Sequence, residues 1–121
     1  MRKLVLAVSM SAAMPVAANA ADAEAGKAVF GKCKACHQIG EGAKNAVGPA
    51  LTGIIGKKAG TTEGFTYSDA MKNSGKTWDE ATFKAYIADP KAAIPGNKMV
   101  FMGVKDPADI DNLTEYLKTA K

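Results

Sequence analysis

The stretch Cys33-Lys34-Ala35-Cys36-His37 constrains this chain more than any other feature of it. Two cysteines three apart, followed directly by a histidine, read as an attachment site for c-type haem. The spacing suits the chemistry. Two thiols about one helical turn apart can each add to a vinyl group on one porphyrin edge, and the next imidazole can then ligate the iron. A bare C-x-x-C also fits a thiol–disulfide pair, half a zinc site or a simple disulfide. Zinc is poorly served: a closed site takes about four ligands, and the two cysteines and one histidine of the chain all lie inside the motif. No strand–helix–strand pattern surrounds it, as a thioredoxin-like site would have.

The first twenty residues read as an export signal. Arg2 and Lys3 form a positive head, Leu4 to Ala13 is mostly apolar, and Ala18-Asn19-Ala20 matches an A-x-A cleavage site. Cleavage is expected after Ala20, leaving residues 21–121 as one domain in the periplasm. An uncleaved anchor is the alternative, but Ser9, Ser11 and Pro15 interrupt a run short of the roughly twenty apolar residues a span needs. Without Arg2 and Lys3, fourteen lysines stand against twelve carboxylates, a balance too mild to argue for nucleic acid. Four Phe, three Tyr and one Trp give a domain of this size a thin core, which a haem would fill. The haem-free chain is therefore expected to be largely unfolded.

Asp22 caps a helix expected from Ala23 to Lys34, with Ala25, Val29, Phe30 and Cys33 on its buried face and Gly26 open to a close helix crossing. Residues 38–60 read as loop and carry no phosphate-binding glycine pattern. Gly48-Pro49 there is either an ordinary turn or a rigid carbonyl able to accept the His37 Nδ1–H. Ser68 to Asn73 reads as a short helix. Thr77-Trp78-Asp79-Glu80 matches a capping box opening a helix to Ala88, stopped by Asp89-Pro90. Residues 91–105 read as a loop bearing Met99 and Met102. Asp106 and Pro107 open the last helix, whose Ile110, Leu113, Tyr116 and Leu117 repeat at three and four and face the first helix at Gly26. The domain is expected to be all-α.

With one histidine in the chain, a bis-histidine haem is excluded. The second axial position falls to Met, Lys, Asn, a chain terminus or water. A Met there closes the iron and raises its potential for electron transfer, whereas an open position permits ligand binding or peroxide chemistry. Met71 lies in a helical stretch where methionine more often packs. Met99 follows Pro95-Gly96-Asn97-Lys98, whose turn residues hold backbone away from helix. Met102 is only three residues on, so spacing alone separates the two weakly, and it is the loop chemistry that favours Met99.

These motifs, with Gly26, Phe30, Gly60, the run Gly64 to Ala70, Thr77-Trp78, Tyr86, Ile94 to Met99, Phe101, Leu113 and Tyr116, resemble the class I cytochromes c, most of all the bacterial c2 type. The resemblance spans 21–121. It implies a fold of four to five short helices and Gly-rich loops wrapped around one haem c bound through Cys33 and Cys36. It implies His37 and Met99 as the iron ligands and a Pro49 carbonyl orienting His37. It also implies Tyr67 and Trp78 on a propionate, Tyr86 near the Met99 sulfur, and Phe101 over the haem edge. Read from the residues alone, those three Tyr and Trp side chains are equally plain core aromatics. Lys57 in place of Arg, Asn97 of Thr, Met71 of Asn and Met102 of a small residue depart from the pattern and bear on the potential and on the Met99 bond.

The implied function is a monomeric, soluble periplasmic electron carrier, not an enzyme. It would accept electrons from a cytochrome bc complex or a dehydrogenase and deliver them to a terminal oxidase or a photosynthetic reaction centre. Lys32, Lys34, Lys44, Lys91, Lys98 and Lys105 are expected to ring the haem edge and steer it to acidic partners, although a merely solvated surface explains such lysines as well.

Overall fold

The Asp22 carboxylate accepts from the Glu24 N–H and starts α1, Ala23–Phe30. The structure, a computed structural model, describes residues 21–121; the expected signal segment and its cleavage point lie outside them. α1 is shorter than the sequence suggested. After Phe30 the amides of Gly31, Lys32 and Cys33 each reach back three residues, to Ala28, Val29 and Phe30, so the helix tightens into turns. Those turns carry both cysteines, and His37 N–H closes them on the Cys33 carbonyl at 2.9 Å.

The loop from residue 38 leads to α2, Asp69–Lys72, capped by Ser68, whose hydroxyl accepts from Met71 N–H. α3, Glu80–Ala88, is capped by Asp79, not by Thr77. Thr77 is held instead in an isolated antiparallel bridge with Lys58, and Trp78 N–H donates to the Lys57 carbonyl. That pairing draws the chain out until Asp79 can reach Thr82 N–H at 2.7 Å. Asp89-Pro90 ends α3 as expected, but the same pair opens α4, Pro90–Ala93, inside the stretch read as loop. Asp89 accepts from Ala92 N–H, and Pro90 sits in the first turn where its missing N–H costs nothing. α5, Pro107–Thr119, starts at Asp106 as its caps foretold.

Among the described residues there are five helices and no strand, so the all-α expectation holds. α1 crosses α5 at Gly26, where a Cβ would lie 1.9 Å from the Asn112 carbonyl oxygen. The crossing buries Val29 and Phe30 against Leu113 and Leu117, with Phe30 and Tyr116 ring centroids 5.4 Å apart. α3 lays Phe83, Tyr86 and Ile87 onto the same core. The loops close over the other side of these residues and leave a cavity between.

Candidate functional site

The cavity is about 820 Å³, and the residues around it come from every part of the domain. Cys33, Cys36 and His37 enter from the turns after α1, and Pro49 from the first loop. Tyr67, Trp78 and Tyr86 close another part of the wall, while Met99 and Phe101 come from the segment between α4 and α5. All nine residues expected to surround a haem thus line one space. Its remaining surface is largely apolar and includes Phe30, Ile54, Leu113 and Leu117.

His37 is set by two neighbours. Its Nδ1 lies 2.8 Å from the Pro49 carbonyl. A carbonyl only accepts, so Nδ1 carries a proton and Nε2 is the nitrogen that can offer a lone pair to a metal. Gly48 packs flat on the same imidazole: a Cβ there would stand 2.3 Å from Cε1. The glycine is needed for that approach, which the sequence did not disclose. Gly48 N–H donates to the Cys36 carbonyl at 2.7 Å, fixing the loop to the cysteine turn.

Met99 is half-buried on the wall, and the Tyr86 hydroxyl donates to its Sδ at 3.8 Å. Burial pushes the Tyr86 phenol up to about 12, so it remains a donor across the ordinary pH range. Trp78 packs on Tyr86 with centroids 4.8 Å apart. Tyr67 accepts from Thr62 N–H at 3.0 Å, which leaves its own O–H free to donate, and stands edge-on to Phe65. Met71 also lines the cavity, whereas Met102 lies outside it, 79% exposed.

The lysines divide. Lys32 and Lys98 border the cavity, as does Lys58, which sequence reasoning passed over. Lys57, in the position where an arginine was expected, does not line it. Lys34, Lys44 and Lys91 are exposed elsewhere. Lys105 is exposed but committed: its Nζ donates to the Ala88 carbonyl at the end of α3, at 2.6 Å. Two asparagines were missed as scaffolding. Asn45 ties Glu63 to Ala50 across the first loop, and Asn97 grips the Met99 segment. Neither role has a local sequence signal, because the partners meet only in the fold.

The donor set fits a covalently held haem. The cavity is large, lined by several aromatics and mostly apolar, and presents two thiols, one imidazole and the thioethers of Met71 and Met99, of which Met99 carries the Tyr86 hydrogen bond. A dithiol oxidoreductase fits badly. Burial raises the Cys33 thiol and Cys36 raises it further, with Lys32 pulling the other way; a reactive dithiol needs a lowered one.

A family model for cytochrome c matches residues 23–121. The chain belongs to the cytochrome c family. It is 55% identical over 118 residues to cytochrome c2 of Blastochloris viridis, covering 98% of this chain and 93% of that protein. Identity to cytochrome c-550 of Bradyrhizobium diazoefficiens is 62% over 95 residues, 78% and 70% of the two chains. Among solved structures, cytochrome cH from Methylobacterium extorquens superposes with TM-score 0.77 at 52% identity, covering 81% of this chain and 98% of that one. The fold is therefore the cytochrome c fold, of the class I bacterial c2 type. Membership carries covalently bound haem c and electron transfer, not catalysis on a substrate.

Proposed function

We propose that this cytochrome is a soluble, monomeric periplasmic carrier whose haem iron is held between His37 Nε2 and Met99 Sδ. The observation that carries the reading is the pairing of supports on one cavity: Pro49 behind the only histidine, and Tyr86 on the sulfur of one methionine. Haem supplies a one-electron couple at iron. Pro49 keeps the imidazole oriented and basic. Tyr86 aims the thioether, and the apolar wall keeps water away. Cys33 and Cys36 anchor the porphyrin through thioethers, Tyr67 and Trp78 offer donors for a propionate, and Phe101 shields the edge.

The test is the weak red-edge band of methionine-ligated ferric haem. Met99→Ala is expected to abolish it, while Met102→Ala and Met71→Ala keep it. Loss of the band in Met102→Ala alone overturns the ligand assignment.

The residue range 21–121 as the mature domain is part of the proposal, and mass spectrometry of the periplasmic protein checks cleavage after Ala20. The proposed donor is a cytochrome bc complex or a dehydrogenase, and the proposed acceptor a terminal oxidase or reaction centre. Lys32 and Lys98 border the cavity and support docking to an acidic partner, with Lys34, Lys44, Lys91 and Lys105 adding charge. Electron exchange with such a partner should slow as salt rises. A rate indifferent to ionic strength would remove the electrostatic part.

A further inference from the structure

The segment that carries Met99 has very little main-chain support. Among the described residues, no amide from Lys98 to Gly103 donates to a backbone carbonyl; the flanking ties are Asn97 N–H to Ile94 and Val104 N–H to Ile87. Met99 N–H is taken up instead by the Asn97 side chain, whose Oδ1 lies 2.9 Å away. The same amide turns its Nδ2 to two carbonyls at the ends of the preceding helix: Pro90, the first residue of α4, at 2.8 Å, and Ile94, which caps its C-terminus, at 2.8 Å. Pro90 and Ile94 are both buried, so the anchor is part of the core.

The geometry engages both donors and the acceptor oxygen of the primary amide. Its two N–H groups go to two carbonyls, and its oxygen accepts from the backbone it must hold. The opposite amide orientation would set an oxygen against two carbonyl oxygens, so the assignment follows from the network. Threonine can supply one donor and one acceptor, aspartate no donor when ionised, and alanine nothing. Asn97 also lines the cavity beside Met99.

We infer that Asn97 is a positioning residue that latches the Met99 segment to α4 and so sets how readily the thioether leaves the iron. The inference rests on Met99 being the distal ligand. An outside ligand can reach the iron only from the fraction of molecules in which the segment has swung away. Its apparent dissociation constant is its intrinsic one divided by that fraction. Breaking the latch removes hydrogen bonds present only in the closed form, and so raises the open fraction. With two or three modest hydrogen bonds lost, the rise is on the order of tenfold to a hundredfold.

The experiment titrates imidazole into the ferric holoprotein and follows the methionine–iron band, with thermal unfolding measured in parallel. Asn97→Ala is expected to bind imidazole at least about tenfold more tightly than the parent, with Asn97→Thr between the two. Val29→Ala serves as the comparison. It truncates a buried residue of α1 that does not touch the cavity, lowering the melting temperature while leaving imidazole affinity within about twofold. If Asn97→Ala binds imidazole like the parent, or if Val29→Ala tightens binding as much, the latch is refuted. If the parent lacks the band and binds imidazole as tightly as Met99→Ala does, the ligand assignment fails first and the latch with it.

Discussion

Replacing Gly26 with alanine sets two physical effects against each other. In an isolated helix alanine is better than glycine by about 1 kcal/mol. At this position, however, the new Cβ would lie 1.9 Å from the Asn112 carbonyl oxygen, 2.5 Å from its carbon and 2.8 Å from Tyr116 Cβ. Two of these three atoms are backbone of α5, so no rotamer change relieves the clash. Ordinary contact begins near 3.4 Å, so α1 and α5 must part by roughly 1.5 Å, far beyond what a close-packed core tolerates. Separation loosens the Phe30–Tyr116 pair and the burial of Leu113 and Leu117. It also stretches the Asp22 N–H to Asn112 Oδ1 bond of 2.8 Å. Overpacking of this kind costs about 1–3 kcal/mol, and a backbone partner puts it at or beyond the upper end. After the helix-propensity gain, a net loss of about 2 kcal/mol lowers the melting temperature by roughly 10 °C in a domain of this size. Thermal unfolding of the holoprotein by far-ultraviolet circular dichroism measures it. A Gly26→Ala protein that melts at or above the parent would show that the crossing is not as close as argued.

Two further outcomes follow from the same structure. The Thr82 N–H holds the Asp79 carboxyl below its ordinary range, and the Lys118 ammonium does the same for Glu80. A lowered folded-state value means this stabilisation is complete above the ordinary carboxylate range and is lost as pH falls through the folded values. The melting temperature should therefore drop below about pH 4, and Asp79→Asn, which still caps but does not titrate there, should flatten that drop; an unchanged acid limb counts against the cap. The Cys33→Ala, Cys36→Ala chain, no longer tethered to haem and stripped of any held non-covalently, exposes a cavity of about 820 Å³ whose wall includes Phe30, Trp78, Tyr86, Leu113 and Leu117. That chain should show little helix and no sharp unfolding transition, and a cooperative melt would contradict it.

What the sequence disclosed and what it hid divide along the range of the interaction. α5 was legible because its cap, its first-turn proline and its apolar repeat all lie within thirteen residues. The Asp79 cap was hidden because the competitor, the Lys58–Thr77 bridge, joins residues nineteen apart in the chain. α4 was missed because Asp-Pro is both a stop and a start, and only the Asp89 to Ala92 bond shows the second use. At the cavity, the Cys33 to His37 motif and the loop bearing Met99 stand out in the sequence by their chemistry, and both line the wall. Gly48 beneath the imidazole does not stand out, since the contact exists only once the first loop folds back over the cysteine turn. Nor does the division of the lysines, because Lys105 acquires its Ala88 partner from α3.

The central claim is an iron closed on both sides by groups of this chain, and the most direct measurement is the visible spectrum of the reduced protein under carbon monoxide at neutral pH. The parent spectrum should stay unchanged, with conversion to a carbonyl form appearing only in Met99→Ala. Ready conversion of the parent would contradict the account.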